Sequence, residues 1–141
     1  MNKSTDELIN ILKSKKSYED FFREEIGELC FSCVSEYLEM LLKEKHMKKN
    51  EVIKASNIDK NYAYQIFNGN KKCPSRNKIL MLAFAMHLTL EQTRKLLKIA
   101  KQSDLYVRDP RDSVIIFCLI NNADLFTANE SLNEYGLDIL E

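Results

Sequence analysis

Glycine and proline are scarce in this chain, three and two in 141 residues. So little turn-forming material excludes a sheet-rich fold, while long periodic runs of Leu, Ile, Lys and Glu point to an all-α protein. No stretch approaches the roughly 18 uninterrupted apolar residues of a membrane span, and the N-terminus is too polar for a secretory signal, so a cytoplasmic protein without membrane contact is expected. Histidine is limited to His46 and His87, isolated from each other and from any nucleophile. A Gly-rich phosphate loop is also lacking, and together these absences argue against an enzyme. The four cysteines form no complete ligand set. Cys30 and Cys33 have zinc-knuckle spacing but no second Cys/His pair follows, so two reduced core thiols on one helix face are expected, with no metal or cofactor.

Charge is balanced overall and divided sharply along the chain. Residues 1–41 hold 5 Lys/Arg against 9 Asp/Glu, residues 42–102 hold 14 against 4, and residues 103–141 hold 2 against 8. A basic centre between acidic ends points to a polyanionic partner at the centre; the plainer alternative is a solvated lysine-rich face.

The most informative stretch is Lys49 to Asn68. Apolar residues at Val52, Ile53, Ala55 and Ile58, then at Tyr62, Ala63, Ile66 and Phe67, have the spacing of two short helices. Between them Asn57 suits the left-handed residue that ends one helix, and Asp59 suits the N-cap of the next. So tight a turn makes a sharp corner, the outline of a helix-turn-helix.

Other boundaries follow from caps and periodicity. Ser4-Thr5-Asp6-Glu7 reads as a capping box opening a helix to about Lys15. Ser17 marks a second start, and apolar spacing continues from Phe21 to about His46, as one long helix or two broken near Gly27 or Ser32; two are favoured. Gly69 stops the second motif helix, and Ser75 caps a helix whose broad apolar face (Ile79, Leu80, Leu82, Ala83, Ala85, Met86) implies a buried, central position. Thr89 to Gln92 is another capping box, and Asp109-Pro110 places an N-cap before proline at the first helical position. Val114 to Ile120 is apolar on every side and is expected to be a buried helix. Thr127-x-x-Glu130 is expected to cap a last short helix ended by Gly136, with Leu137, Ile139 and Leu140 tucking back or meeting a partner.

From Met47 to Leu88 these residues resemble the Xre/Cro, lambda-repressor-like helix-turn-helix family of DNA-binding regulators. The resemblance rests on Met47-Lys48-Lys49-Asn50-Glu51-Val52, on Asn57-Ile58-Asp59 at the turn, and on Ile66, Gly69 and Pro74-Ser75. It extends in register over about residues 34–101. Two departures stand out: Ile53 and Ala63 exchange the family's usual small and β-branched residues, and Phe67-Asn68 replace a common Glu-Arg. The resemblance implies a five-helix domain at 34–102, a helical extension at 1–33 and an acidic helical extension at 103–141. It also implies a recognition helix at about 59–68 in the major groove of double-stranded DNA, bound as a homodimer. The base-contacting face would be Lys60, Asn61, Tyr64, Gln65 and Asn68, with Lys48, Lys49, Lys71, Lys72 and Arg76 on phosphates. Residues 103–141 are the candidate for dimerisation, effector or protein-partner contact, or are simply further helices of the domain. The competing function is a protein-interaction module, an antitoxin or adaptor, with the motif as scaffold and the acidic segments as the working surface.

Overall fold

The structure, a computed structural model, describes residues 3–14, 18 and 33–141. Among these residues there are eight helices and no strand, and no helix is long and apolar enough to cross a membrane. The chain divides into two compact units, Met1–Phe31 and Ser32–Glu141. The change from basic to acidic composition at Ser103 falls inside the second.

In the first unit α1 runs over Thr5–Ser14, with none of its residues buried. Ser4 caps it: the Glu7 backbone N–H donates to Ser4 Oγ at 3.1 Å. The Glu7 carboxylate accepts from the Ser4 hydroxyl at 3.2 Å. The helix start at Ser17, the break near Gly27 or Ser32, and Cys30 lie outside the described residues.

The second unit comprises α2 (Val34–Glu44), α3 (Lys49–Ser56), α4 (Lys60–Phe67), α5 (Arg76–Ala85), α6 (Leu90–Ile99), α7 (Pro110–Ile120) and α8 (Leu125–Glu134). α2 buries Val34, Tyr37, Leu38, Leu41 and Leu42, a single stripe at helical spacing. α5 differs in kind, because every side chain from Ile79 to Met86 is buried. A helix apolar on all sides needs neighbours on all sides; α3, α6 and α8 pack against it, α2 lies against α4 and α6, α7 lies against α6, and α7 and α8 form a hairpin. Fully burying each Leu, Ile or Phe of α5 contributes about 1.5–3 kcal/mol of transfer free energy.

The scarcity of glycine does not prevent sharp helix ends. His46, His87, Lys101 and Asn122 take positive φ values of 51–60° immediately after α2, α5, α6 and α7, as Gly136 does after α8. Each is followed by a residue whose N–H reaches back to the helix. Leu88 N donates to Ala83 O at 3.0 Å, and Gln102 N to Leu97 O at 2.9 Å. These are Schellman closures, which satisfy terminal carbonyls at the expense of a left-handed non-glycine residue.

Three expectations are corrected. α8 begins at Leu125 because Asp124, not Thr127, is its N-cap: the Thr127 N–H donates to Asp124 Oδ1 at 2.8 Å. The earlier start lets Leu125 join Ala128 and Leu132 on the buried stripe. α7 is a helix, as its Asp109-Pro110 start implies, but it is not buried all round. It has α6 and α8 as its main neighbours, and Phe117 and Ile120 stand 67% and 64% exposed. Cys33 is half-exposed rather than in the core, its thiol directed at Glu36 Oε1 at 2.9 Å, and Cys118 is the buried thiol.

The C-terminal hairpin is tied to α5 by arginines. Arg76 Nη1 and Nη2 donate to the two carboxylate oxygens of Asp112, each at 2.9 Å. Its remaining reach goes to the carbonyls of Ser103 and Asp104, both at 3.1 Å. Asp112 also accepts the Tyr106 N–H at 2.9 Å. Burial acts to raise the Asp112 pKa, but the Arg76 hydrogen bonds, the Tyr106 N–H and the Arg76 and Arg111 charges together outweigh it. The carboxyl is therefore held below its usual range. Arg111 adds bonds to the Asp138 and Ile139 carbonyls and to Asn77, and the Asn129 amide clasps both backbone groups of buried Leu140. Among the described residues, no buried side-chain nitrogen or oxygen lacks a partner.

Asp112→Asn leaves the Arg76 guanidinium uncompensated, and a loss of about 3 kcal/mol is expected in urea unfolding at pH 7. The depressed carboxyl sets the sign of the pH effect: its contribution is complete above the unfolded Asp value of about 4 and is lost as pH falls through the folded value. The parent should therefore lose stability more steeply than the variant below about pH 4. Lys101→Gly, which removes Cβ strain at a left-handed position, should raise stability by up to about 1 kcal/mol in the same measurement.

Candidate nucleic-acid interface

The corner between α3 and α4 is built by four consecutive residues. Ser56, fully buried, donates its hydroxyl to Ile53 O at 2.7 Å and accepts the Ile58 N–H at 3.2 Å. Asn57 takes the left-handed conformation with φ 58° and ψ 17°, which its short polar side chain tolerates. Ile58 is buried at the bend. Asp59 caps α4 by accepting the Tyr62 N–H at 3.2 Å.

α4 buries Ala63, Ile66 and Phe67, and this one choice of face decides the other. Lys60, Asn61, Tyr64, Gln65 and Asn68 are all exposed, and their spacing places them along a single outer face about 12 Å long. The structure thus brings together all five residues expected to meet base edges. Asn68 is partly engaged, since its Oδ1 accepts the Asn70 N–H at 3.0 Å and shapes the turn beyond the helix. Gly69 has φ +89° there, and a Cβ built on it would meet Ser35 Oγ at 3.3 Å, so the end of α4 sits directly against the start of α2.

The five cations expected on phosphates separate into two groups. Lys48, Lys71 and Lys72 are exposed. Lys71 projects its Nζ over the Tyr62 ring, 5.3 Å from the centroid, and Lys71 and Lys72 line a concave surface with Cys33, Val34 and Ser35 at the start of α2. Lys49 and Arg76 are committed within the protein. Lys49 Nζ lies 2.6 Å from Glu39 Oε1 and 5.6 Å from the Phe67 ring centroid, and Arg76 is the partner of Asp112 described above. Phe67 therefore packs under a lysine from α3.

The sequence reading passed over polar residues of α3. Asn50, Lys54 and Asn57 line a second concave surface together with Lys60 and Tyr64. Their i, i+4, i+7 spacing was the available signal, because it marks the polar face opposite Val52. Lys78 is a further addition, 5.8 Å from the Tyr62 ring centroid. Ile53 borders the same concave surface as Asn57 and Lys60 and is itself buried, as Ala63 is. The concavities hold amides, ammonium groups, one phenol, the Ser35 hydroxyl, the Cys33 thiol and the Asp59 carboxylate, with ammonium groups outnumbering the single carboxylate. Among the described residues no group of three or more His, Cys, Asp and Glu could hold a metal ion.

Asn57 is the hinge of this geometry. Asn57→Val forces a β-branched residue to positive φ and should cost about 1–2 kcal/mol in thermal or urea unfolding, while Asn57→Gly should stay within about 0.5 kcal/mol of the parent.

Compared with protein-family models, curated proteins and solved structures, the chain matches none of them.

Proposed function

We propose that this protein is a sequence-specific DNA-binding transcriptional regulator acting as a dimer. In this reading α2 to α6 form the five-helix lambda-repressor-like arrangement, α3 and α4 are its helix-turn-helix, and α4 enters the major groove. The observation that carries it is the outer face of α4: five exposed polar side chains on one short helix, Lys60, Asn61, Tyr64, Gln65 and Asn68. That helix lies within the one basic third of the chain, 14 Lys/Arg against 4 Asp/Glu. Asn and Gln pair bidentately with adenine, Lys with guanine, and Tyr reaches a phosphate or a thymine methyl.

Lys48, Lys71 and Lys72 are the phosphate contacts the geometry favours, since Lys49 and Arg76 would have to leave Glu39 and Asp112 to serve. Lys54, beside Lys60 on the concave surface, joins them. The protein-interaction reading draws on a different observation, the exposed Phe126 and Tyr135 of the acidic third, 71% and 70% accessible. The two readings part on salt. DNA binding through several lysines weakens steeply as salt rises, and a scaffold shows no such binding.

Selection of bound fragments from random duplex DNA at moderate salt, followed by titration of the selected site, tests the proposal. Asn61→Ala and Gln65→Ala should each cost ~1–3 kcal/mol against that site and relax base choice. Lys71→Ala and Lys72→Ala should weaken all sequences alike and reduce the salt slope by about one unit each. Recovery of no enriched fragment, or full affinity in the Asn61→Ala/Gln65→Ala double variant, would remove α4 from the groove.

A further inference from the structure

Among the described residues nothing covers one face of α7, and that face is unusual for its charge as well as its apolarity. The eleven residues Ser113 to Ala123 contain no Asp, Glu, Lys, Arg or His, between Asp112 and Asp124 in a segment with 2 Lys/Arg and 8 Asp/Glu. Ile115, Cys118 and Leu119 turn inward and are buried, whereas Phe117 and Ile120 stand 67% and 64% exposed, one helical turn apart, with Ile116 half-buried beside them. Phe117 alone leaves on the order of 130 Å² of ring surface in water, taking an aromatic side chain as about 200 Å².

We propose that this face is the surface through which two copies of the chain associate, α7 against α7 across a two-fold axis. Charge selects the occupant. A contact between identical patches places each charge near its own copy, so an acidic face repels itself; an uncharged stripe within an acidic segment is the region where two copies can meet. A partner recognised through the acidity of 103–141 would instead be met by carboxylates among the apolar groups, and this stripe offers none. The dimer required by a single reading helix, which rests on the DNA-binding proposal above, supplies a use for the contact.

The patch also sets the strength. One helix face of eleven residues, about 16 Å long, falls short of the ~800 Å² per partner of a standard interface, so the free dimer is weak, with a dissociation constant of about 1–100 μM. The acidic flanks weaken the dimer further at low salt. Screening them gives dimerisation a salt dependence opposite in sign to that of DNA binding.

Sedimentation velocity of the full chain, monomer mass 16.5 kDa, over about 1–300 μM at low and high salt tests this. A reversible shift toward twice that mass is expected, stronger at high salt. Phe117→Glu/Ile120→Glu should weaken it more than tenfold with an unchanged melting temperature, since both side chains are exposed. Phe117→Gln/Ile120→Gln, which adds no charge, should weaken it less. A parent that stays monomeric throughout, a dimer that weakens with salt, or a Glu double variant that dimerises like the parent would each overturn the proposal. The two proposals fail separately. The Glu double variant should keep the parent's affinity for a duplex holding one half-site and lose cooperativity on two, while Asn61→Ala/Gln65→Ala should dimerise normally.

Discussion

The second unit depends on the burial of α5 beyond its first turn. Eight consecutive side chains from Ile79 to Met86 are out of water, so this helix has no face of its own to offer the solvent, and its stability is a matter of what covers it. α3 and α6 cover part, and α8, from the acidic end of the chain, covers another. The change of composition at Ser103 is therefore not a break in the core. Where α5 starts, the Gln102 side chain donates to Pro74 O at 2.8 Å and Arg76 grips Asp112, so the basic loop before Pro74 leaves a rigid anchor. The position of Lys71 and Lys72 is a consequence of core packing.

The same core decides which lysines remain exposed. A balance of 14 to 4 in the central third overstates the available charge, because Lys49 pairs with Glu39, Arg76 with Asp112, and Arg94 with Asp104. The Arg94 pair is about half exposed on both sides, at 55% and 52%, and is worth little to stability. Its geometric effect matters more, since with Arg76 it holds the connection from α6 to α7 against the body of the unit. What is left for this part of the surface is a smaller set, Lys48, Lys54, Lys60, Lys71, Lys72 and Lys78.

Helix existence and the α3 to α4 corner were readable because their causes are local. Asn57, Asp59, Ser75, Thr89 and Asp109 each act on backbone groups within three residues, and the structure uses every one as a terminator or cap. The Thr127 pattern misled because Asp124 caps three residues earlier and the buried stripe needs Leu125, a preference set by packing. Arg76 gave no sign of its Asp112 partner, which lies 36 residues away, beyond any periodicity. Lys101 and His87 gave no sign of left-handed conformation, since helix-ending closures form around whichever residue the next helix's packing leaves at that position. The inward-looking run from Val114 to Ile120 was equally opaque: periodicity cannot separate a helix buried all round from one with an uncovered apolar face.

Placement of opposite charges has its own consequence for approach to a polyanion. α4 packs against α2 and α3, while α7 and α8 pack against α6 and α5, so the acidic hairpin and the outer face of α4 are served by different neighbours. On the DNA-binding reading, a chain with a net charge of zero would not be drawn to DNA as a whole; its charge asymmetry would produce a torque that turns the lysine-bearing face toward phosphates. Long-range orientation then does part of the selecting before any base is read. A uniformly basic surface of the same size would bind more tightly in every orientation and discriminate less, because non-specific contact rises with each added cation while base readout does not. On the DNA-binding reading, the acidic third limits such contact to the one face that carries Asn61 and Gln65.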